Sequence, residues 1–260
     1  MVRIASAAPY GDIVKEISEY NGLKLLQSEA NSGFYKDVLD SIIDLFNYVD
    51  ALKEFSPVFM RFDFPAKSTE ENVIRFFDRA KKKHQRKSWQ FFYMYTREFE
   101  PIHKHSHYHA FCIVDRRRYT SALNIEKMLQ AIWDYEIERN PILKDCLEEK
   151  DKNLWFSRID RRERYKPPHE RSNRRYNFYS LSSDSRAIPG DRDRAFEAAS
   201  YMAKITQVPS HDLEAPRKRR RGRSILPKLA PDDIRPGYDS EKAKHLLKEP
   251  PPLKNERIVV

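Results

Sequence analysis

Four of the eight histidines in this 260-residue chain occupy alternate positions, His103, His105, His107 and His109, and run directly into Ala110-Phe111-Cys112-Ile113-Val114. An extended strand repeats its side-chain direction every two residues, so all four imidazoles share one face if the segment is a strand. The apolar run that follows has the composition of a strand in a sheet. A sheet carrying a row of imidazoles is therefore the first requirement on the fold.

The flanking pattern supplies the rest of that sheet. Val58-Phe59-Met60-Arg61-Phe62-Asp63-Phe64 alternates in its second half and stops at Pro65, which predicts a first strand. Ser68, with Glu71 three residues on, predicts a capped helix whose apolar face is Val73, Ile74, Phe76, Phe77 and Ala80. Trp89 to Thr96 is aromatic and reads as a second strand leading to Arg97-Glu98-Phe99-Glu100, ahead of the histidine strand. Ile125, Met128, Leu129, Ile132 and Trp133 form another helix face, residues 154–159 a further strand, and the Ala-rich segment after Asp191 a last helix. The fold class expected is α+β, an antiparallel sheet with flanking helices placed on one side.

At either end the character changes. Residues 1–54 are expected to be a helical N-terminal region, because apolar residues from Phe34 to Val49 recur at three and four. From residue 207 to 260 lie eight of the sixteen prolines and the run Arg217-Lys218-Arg219-Arg220-Arg221-Gly222-Arg223, which predicts a flexible basic tail. The middle, residues 55–206, is the expected folded domain built on that sheet.

Lysine and arginine number 49 against 39 acidic residues, giving a net charge of +10 and favouring an anionic partner such as nucleic acid. Residues 158–175 hold eight Lys/Arg and three Asp/Glu and are expected to be a basic loop. Arg161, Arg162, Arg164, Arg174 and Arg175 from that loop, with Arg61 on the first strand, are the candidate DNA contacts. Two cysteines, Cys112 and Cys146, are too few for a disulfide framework, and Cys112 is expected as a buried thiol. No apolar stretch approaches the ~18 residues of a membrane span, and no leader pattern is read at the start. A cytoplasmic protein is the expectation.

Histidines at i and i+2 on a strand stand ~6.6 Å apart at Cα, close enough for both rings to lean onto one divalent ion. His107 and His109 adjoin the apolar strand and are the candidate ligands. His103 and His105 follow Pro101 and are expected in the connecting turn. Magnesium and manganese prefer oxygen, so a carboxylate is needed beside the imidazoles. Glu98 and Glu100 end the preceding strand on one face, and spacing does not separate them. Downstream, Tyr201-Met202-Ala203-Lys204 places a tyrosine and a lysine three residues apart, on one face of a helix. A tyrosine can act as a nucleophile when an ammonium group and a metal-polarised phosphate lie close by.

Taken together, Arg61-Phe62-Asp63, then Arg97-Glu98-Phe99 ahead of His107-Tyr108-His109, then Tyr201-Met202-Ala203-Lys204, resemble the HUH endonucleases. Within that group the chain is most similar to the inovirus-type phage replication proteins, over roughly residues 55–206. The resemblance implies an HUH/RRM-like nuclease core and initiation of rolling-circle replication by nicking single-stranded DNA at an origin. It also implies Tyr201 as nucleophile, Lys204 as a phosphate-orienting group, and a magnesium or manganese ion on His107, His109 and Glu98. Glu98 is preferred over Glu100 because an Arg-Glu-aromatic step precedes the histidine pair in the family. Two departures stand out. The first strand lacks the threonine common in many initiators, which leaves that strand a structural role, and position 205 is Ile205 where two-tyrosine members carry their second tyrosine. There is no phosphate-loop motif, so a host helicase is the implied partner.

Two other classes compete. A water-using metal hydrolase would also use a His-x-His pair, and a non-enzymatic DNA-binding protein would fit the net charge alone.

Overall fold

The structure is a computed structural model and describes residues 3–8, 11–15, 17–26, 33–100, 105–147, 152–156, 178–183, 188–204 and 221–247. It is a mixed α+β fold, and its main sheet is antiparallel.

The N-terminal region departs from the helical expectation. Strands β1 (Arg3–Ala8), β2 (Gly11–Lys15) and β5 (Phe34–Tyr35) form a small sheet in the order β1-β2-β5. Between them β3 (Glu19–Tyr20) and β4 (Leu23–Lys24) make a ribbon across Asn21-Gly22. Both turn residues have positive φ, 50° and 75°, the backbone that a two-residue hairpin requires and Asn-Gly supplies cheaply. Among the described residues of this region, only α1 (Lys36–Ala51) is helical. Its Leu39, Ile42, Leu45, Phe46 and Val49 are fully buried, so the stripe read from the sequence does face the core.

The main sheet is built on β6 (Pro57–Asp63), β7 (Phe91–Glu100) and β8 (His105–Asp115). Its order is β10-β6-β8-β7-β11, with β9 pairing on β6. The outer strands are β9 (Trp155–Phe156), β10 (Phe178–Ser180) and β11 (Arg221–Arg223). β7 and β8 pair along ten positions as a long hairpin, and β6 lies antiparallel on the other side of β8.

Helices cover both faces of this sheet, not one. α2 (Glu70–Gln85) and α3 (Ala122–Glu138), followed by the short α4 (Pro141–Cys146), lie on the face of Met60, Phe62, Ala110 and Cys112. On the opposite face, Phe59, Met94, Phe111 and Ile113 pack with α1 and with α5 (Asp191–Ser200). The two-sided arrangement follows from β6 and β8, whose central positions are buried on both parities. Cys112 is buried and free, as expected. The start of α2 lies one residue later than anticipated. Thr69 is the N-cap and exchanges hydrogen bonds with Asn72, while the Ser68 hydroxyl donates to the Pro65 carbonyl.

The tail expectation also needs correction. Residues 221–247 are seated on the core, although 207–220 and 248–260 lie outside the described residues. β11 adds to the free edge of β7, and Gly222 is required there because a Cβ would run into the Tyr95 ring. Further on, Arg235 is buried, donating through Nε to the Asp50 carbonyl at 2.7 Å and through Nη2 to Ser183 Oγ at 2.6 Å. The same guanidinium lies 3.4 Å from the buried Asp50 carboxylate. α6 (Ser240–Lys244) then folds under Leu229. Proline and charge suggested disorder, but short strand pairing and one buried ion pair hold the segment. No described helix is long and apolar enough to cross a membrane.

Candidate metal centre and tyrosine

Cross-strand register brings the polar residues together. Asp63 on β6 stands opposite His109 on β8, and His109 stands opposite Thr96 on β7. Directly opposed residues share a face, so Asp63, His109 and Thr96 form one row across three strands. Two residues along, His107 is opposite Glu98 on the same face. Two residues the other way, Arg61 is opposite Phe111, where the apolar floor under α1 and α5 begins.

His109 is the buried centre of this group. Its Nδ1 lies 2.7 Å from Asp63 Oδ1, and its Nε2 lies 2.7 Å from Glu98 Oε2. The His107 ring is beside it, 4.6 Å away between centroids and edge-on. One donor atom each from Asp63, His107 and His109 lies within 4.8 Å of the others. A pair of imidazoles joined by a carboxylate suits a divalent ion, since the donors are both nitrogen and oxygen. Glu98 adds a second carboxylate, 2.7 Å from the His109 ring nitrogen opposite the one that meets Asp63.

The electrostatics agree with that grouping. Burial would raise the Asp63 carboxyl, but His109, Arg61 and His107 together hold it down at about 2. Burial would lower His109, but Asp63 and Glu98 outweigh it and raise the imidazole above its ordinary value. The two carboxylates thus favour the protonated form of the His109 imidazole. An ion and that proton compete for one place.

Tyr201 stands over the group. Its ring meets His109 edge to face at 4.9 Å between centroids. The Arg61 guanidinium lies 4.1 Å from the tyrosine ring centre and the Lys204 ammonium 4.8 Å from it. Burial and the neighbouring Arg61 lower Lys204, opposed by Glu98. The position of Tyr201 comes from α5, which packs Ala195, Phe196 and Ala199 on the sheet and ends at Ser200. Ser200 fixes that end by donating to the Glu197 carbonyl and accepting from the Leu26 amide. Tyr201–Ala203 is then a single 3-10 turn, and Lys204 is extended and bridged to Phe34. Tyrosine and lysine therefore converge across the end of a helix, not along one helical face.

Of the residues singled out from sequence, the structure brings His107, His109, Glu98, Tyr201, Lys204 and Arg61 together. Arg61, expected as a DNA contact, sits inside the site, 3.7 Å from Asp63, and its buried Nε has no hydrogen-bond partner among the described residues. Asp63 was missed. It ends a strand given only a structural role, yet its oxygen completes the cluster, and Glu98 joins by bonding to His109. Parity carried the signal, because Arg61 and Asp63 are the two charged residues of an apolar strand and share a face. Glu100 and His105 pair in the ladder, but their side chains lie outside the described residues, as do His103, Arg161, Arg162, Arg164, Arg174 and Arg175. Comparison with protein-family models, with curated proteins and with solved structures finds no match to this chain.

Proposed function

We propose that this chain nicks and rejoins single-stranded DNA through Tyr201, as a metal-dependent replication initiator with an HUH-type core. One observation carries the reading: the Tyr201 ring, set edge to face against His109, is flanked by two cations, Arg61 and Lys204. A hydrolase that activates water needs no phenol at that place, and a passive DNA-binding protein needs no cluster of Asp63, His107 and His109.

A magnesium or manganese ion held by Asp63, His107 and His109, with Glu98 beside it, would supply Lewis-acid polarisation of the scissile phosphate. The residues of the chain do the remaining work. Arg61 and Lys204 hold the phosphate against the tyrosine and offset the charge that builds on its oxygens. Tyr201 loses its phenolic proton and its oxygen forms a bond to phosphorus. The bond from phosphorus to the 3′ oxygen breaks, and that oxygen takes up a proton. The products are a 5′-phosphotyrosine linkage and a free 3′ hydroxyl able to prime synthesis. One phosphodiester replaces another, so attack by a 3′ hydroxyl reverses the step and joins strands. Such an initiator works on the single-stranded origin of a phage, prophage or plasmid and needs a helicase from its host.

The test is incubation with single-stranded origin DNA and manganese, followed by a denaturing gel. A covalent protein–DNA band is expected. Free cleaved DNA would mean a water-using hydrolase, and intact DNA a binding protein.

A further inference from the structure

Trp155 lies on β9 in register with Asp63. That register extends the site's row by one strand, to Trp155, Asp63, His109 and Thr96. Opposed residues share a face, so the indole belongs to the same face as the metal-ligand candidates. Its neighbour confirms the alternation, since Phe156 packs on the other face, 5.9 Å from the Phe62 ring. With strands ~4.8 Å apart, the Trp155 backbone is about 5 Å from that of Asp63 and about 10 Å from that of His109.

Trp155 is 62% exposed, whereas Trp133 is fully buried and Phe59, Phe62, Phe64, Phe76 and Phe111 are all at 0%. A large indole on a solvent-facing edge, next to a cationic, metal-competent site, gains nothing for the fold. It gains contact when a flat apolar ligand covers it. Such a ligand is available in a nucleotide adjoining a phosphate held at Arg61 and Lys204.

From this we infer that Trp155 is a stacking subsite for one unpaired nucleobase next to the phosphate bound at the metal centre. The inference rests on the reading of the site as a single-stranded DNA site. Stacking on an indole needs the face of an unpaired base, so the subsite selects single strands over duplex and tolerates all four bases. Trp155 neutralises no phosphate, so its contribution does not change with salt, whereas that of Arg61 and Lys204 does.

The experiment uses the full chain carrying Tyr201→Phe, so that no covalent step intervenes. Affinity for an end-labelled oligothymidylate, and for an oligonucleotide of equal length made wholly of abasic sites, is measured by fluorescence anisotropy with and without Trp155→Ala or Trp155→Phe, and tryptophan fluorescence is followed in the protein that keeps Trp155. The oligothymidylate should quench the indole signal and the abasic strand should not. Trp155→Ala should weaken oligothymidylate binding about tenfold or more, at an unchanged slope of log affinity against log salt, while Trp155→Phe keeps most of the affinity. Equal binding by the parent and Trp155→Ala, or equal quenching by the abasic strand, would overturn the subsite. An unchanged melting temperature for Trp155→Ala separates lost stacking from lost fold. Stacking in a protein that forms no covalent adduct with origin DNA would retain the subsite and refute the nicking activity.

Discussion

The two faces of the central sheet differ along their length. Toward α2 and α3 the face is apolar from Val58 and Val114 through Cys112 and Met60 to Phe62 and Tyr108, with buried Arg97 opposite Tyr108 at its end. Toward α1 and α5 the face is apolar only as far as Phe111, and then turns to Arg61, Asp63, His107, His109, Thr96 and Glu98. The same three strands thus supply a core on one side and half a core plus a charged site on the other. Buried charge costs stability unless it is paired, so the polar half is held together by the bonds of His109 to Asp63 and Glu98. The apolar face positions the strands, and the mixed face uses their register.

Breaking the apolar face should have the largest effect on folding and leave the site chemistry intact. Phe76 packs edge-on against Phe64 at 5.1 Å and is fully buried. Phe76→Ala should cost about 3–5 kcal/mol in urea unfolding, with manganese affinity of the remaining folded protein unchanged. A comparable loss of manganese affinity would mean that the two faces are not separable. The C-terminal segment gives the next test. Arg235→Ala removes one of the two cations beside the buried Asp50 carboxylate, which keeps Ser183 and Arg192, and should cost about 2 kcal/mol. Truncation before Arg221 should be worse still, since it also removes β11, and a truncated chain as stable as the parent would make that segment dispensable.

On the mixed face the ranking inverts. Asp63→Asn keeps the shape but removes the charge, and manganese titration should show affinity weakened about 100-fold. A similar loss from Glu98→Gln, with none from Asp63→Asn, would move the oxygen donor to Glu98. The smallest effect is on pH dependence in metal-free protein. Asp63 is depressed to about 2, so its stabilisation is complete above its unfolded value of about 4 and fades as pH falls toward 2. His109 is raised, so its stabilisation is complete below its unfolded value of about 6.5 and is lost as pH rises through its folded one. The pair should therefore contribute most between about pH 4 and 6.5. Asp63→Asn should flatten that window, and a parent profile already flat there would contradict the pairing.

The contrast between the faces also explains what was legible in the sequence. Period-two alternation around His107 and His109, and the apolar stripe of α1, depend on local pattern and were readable. Asp63 was not, because its role depends on the pairing of β6 with β8 across 46 residues. Asn21-Gly22 was a hairpin signal overshadowed by the helical stripe that follows it. The seating of residues 221–247 rests on long-range contacts, among them the β11 pairing, the Leu52–Ile234 bridge and the Arg235–Asp50 contact across 185 residues, which composition cannot reveal.

The central claim is that the mixed face exists to present Tyr201 to a phosphate. Its most direct test is mass spectrometry of the protein after reaction with single-stranded origin DNA, manganese and nuclease trimming. The nucleotide should be found on the peptide containing Tyr201, and Tyr201→Phe, which keeps the ring against His109, should carry none. A nucleotide on any other tyrosine, or an adduct that survives Tyr201→Phe, would contradict the account.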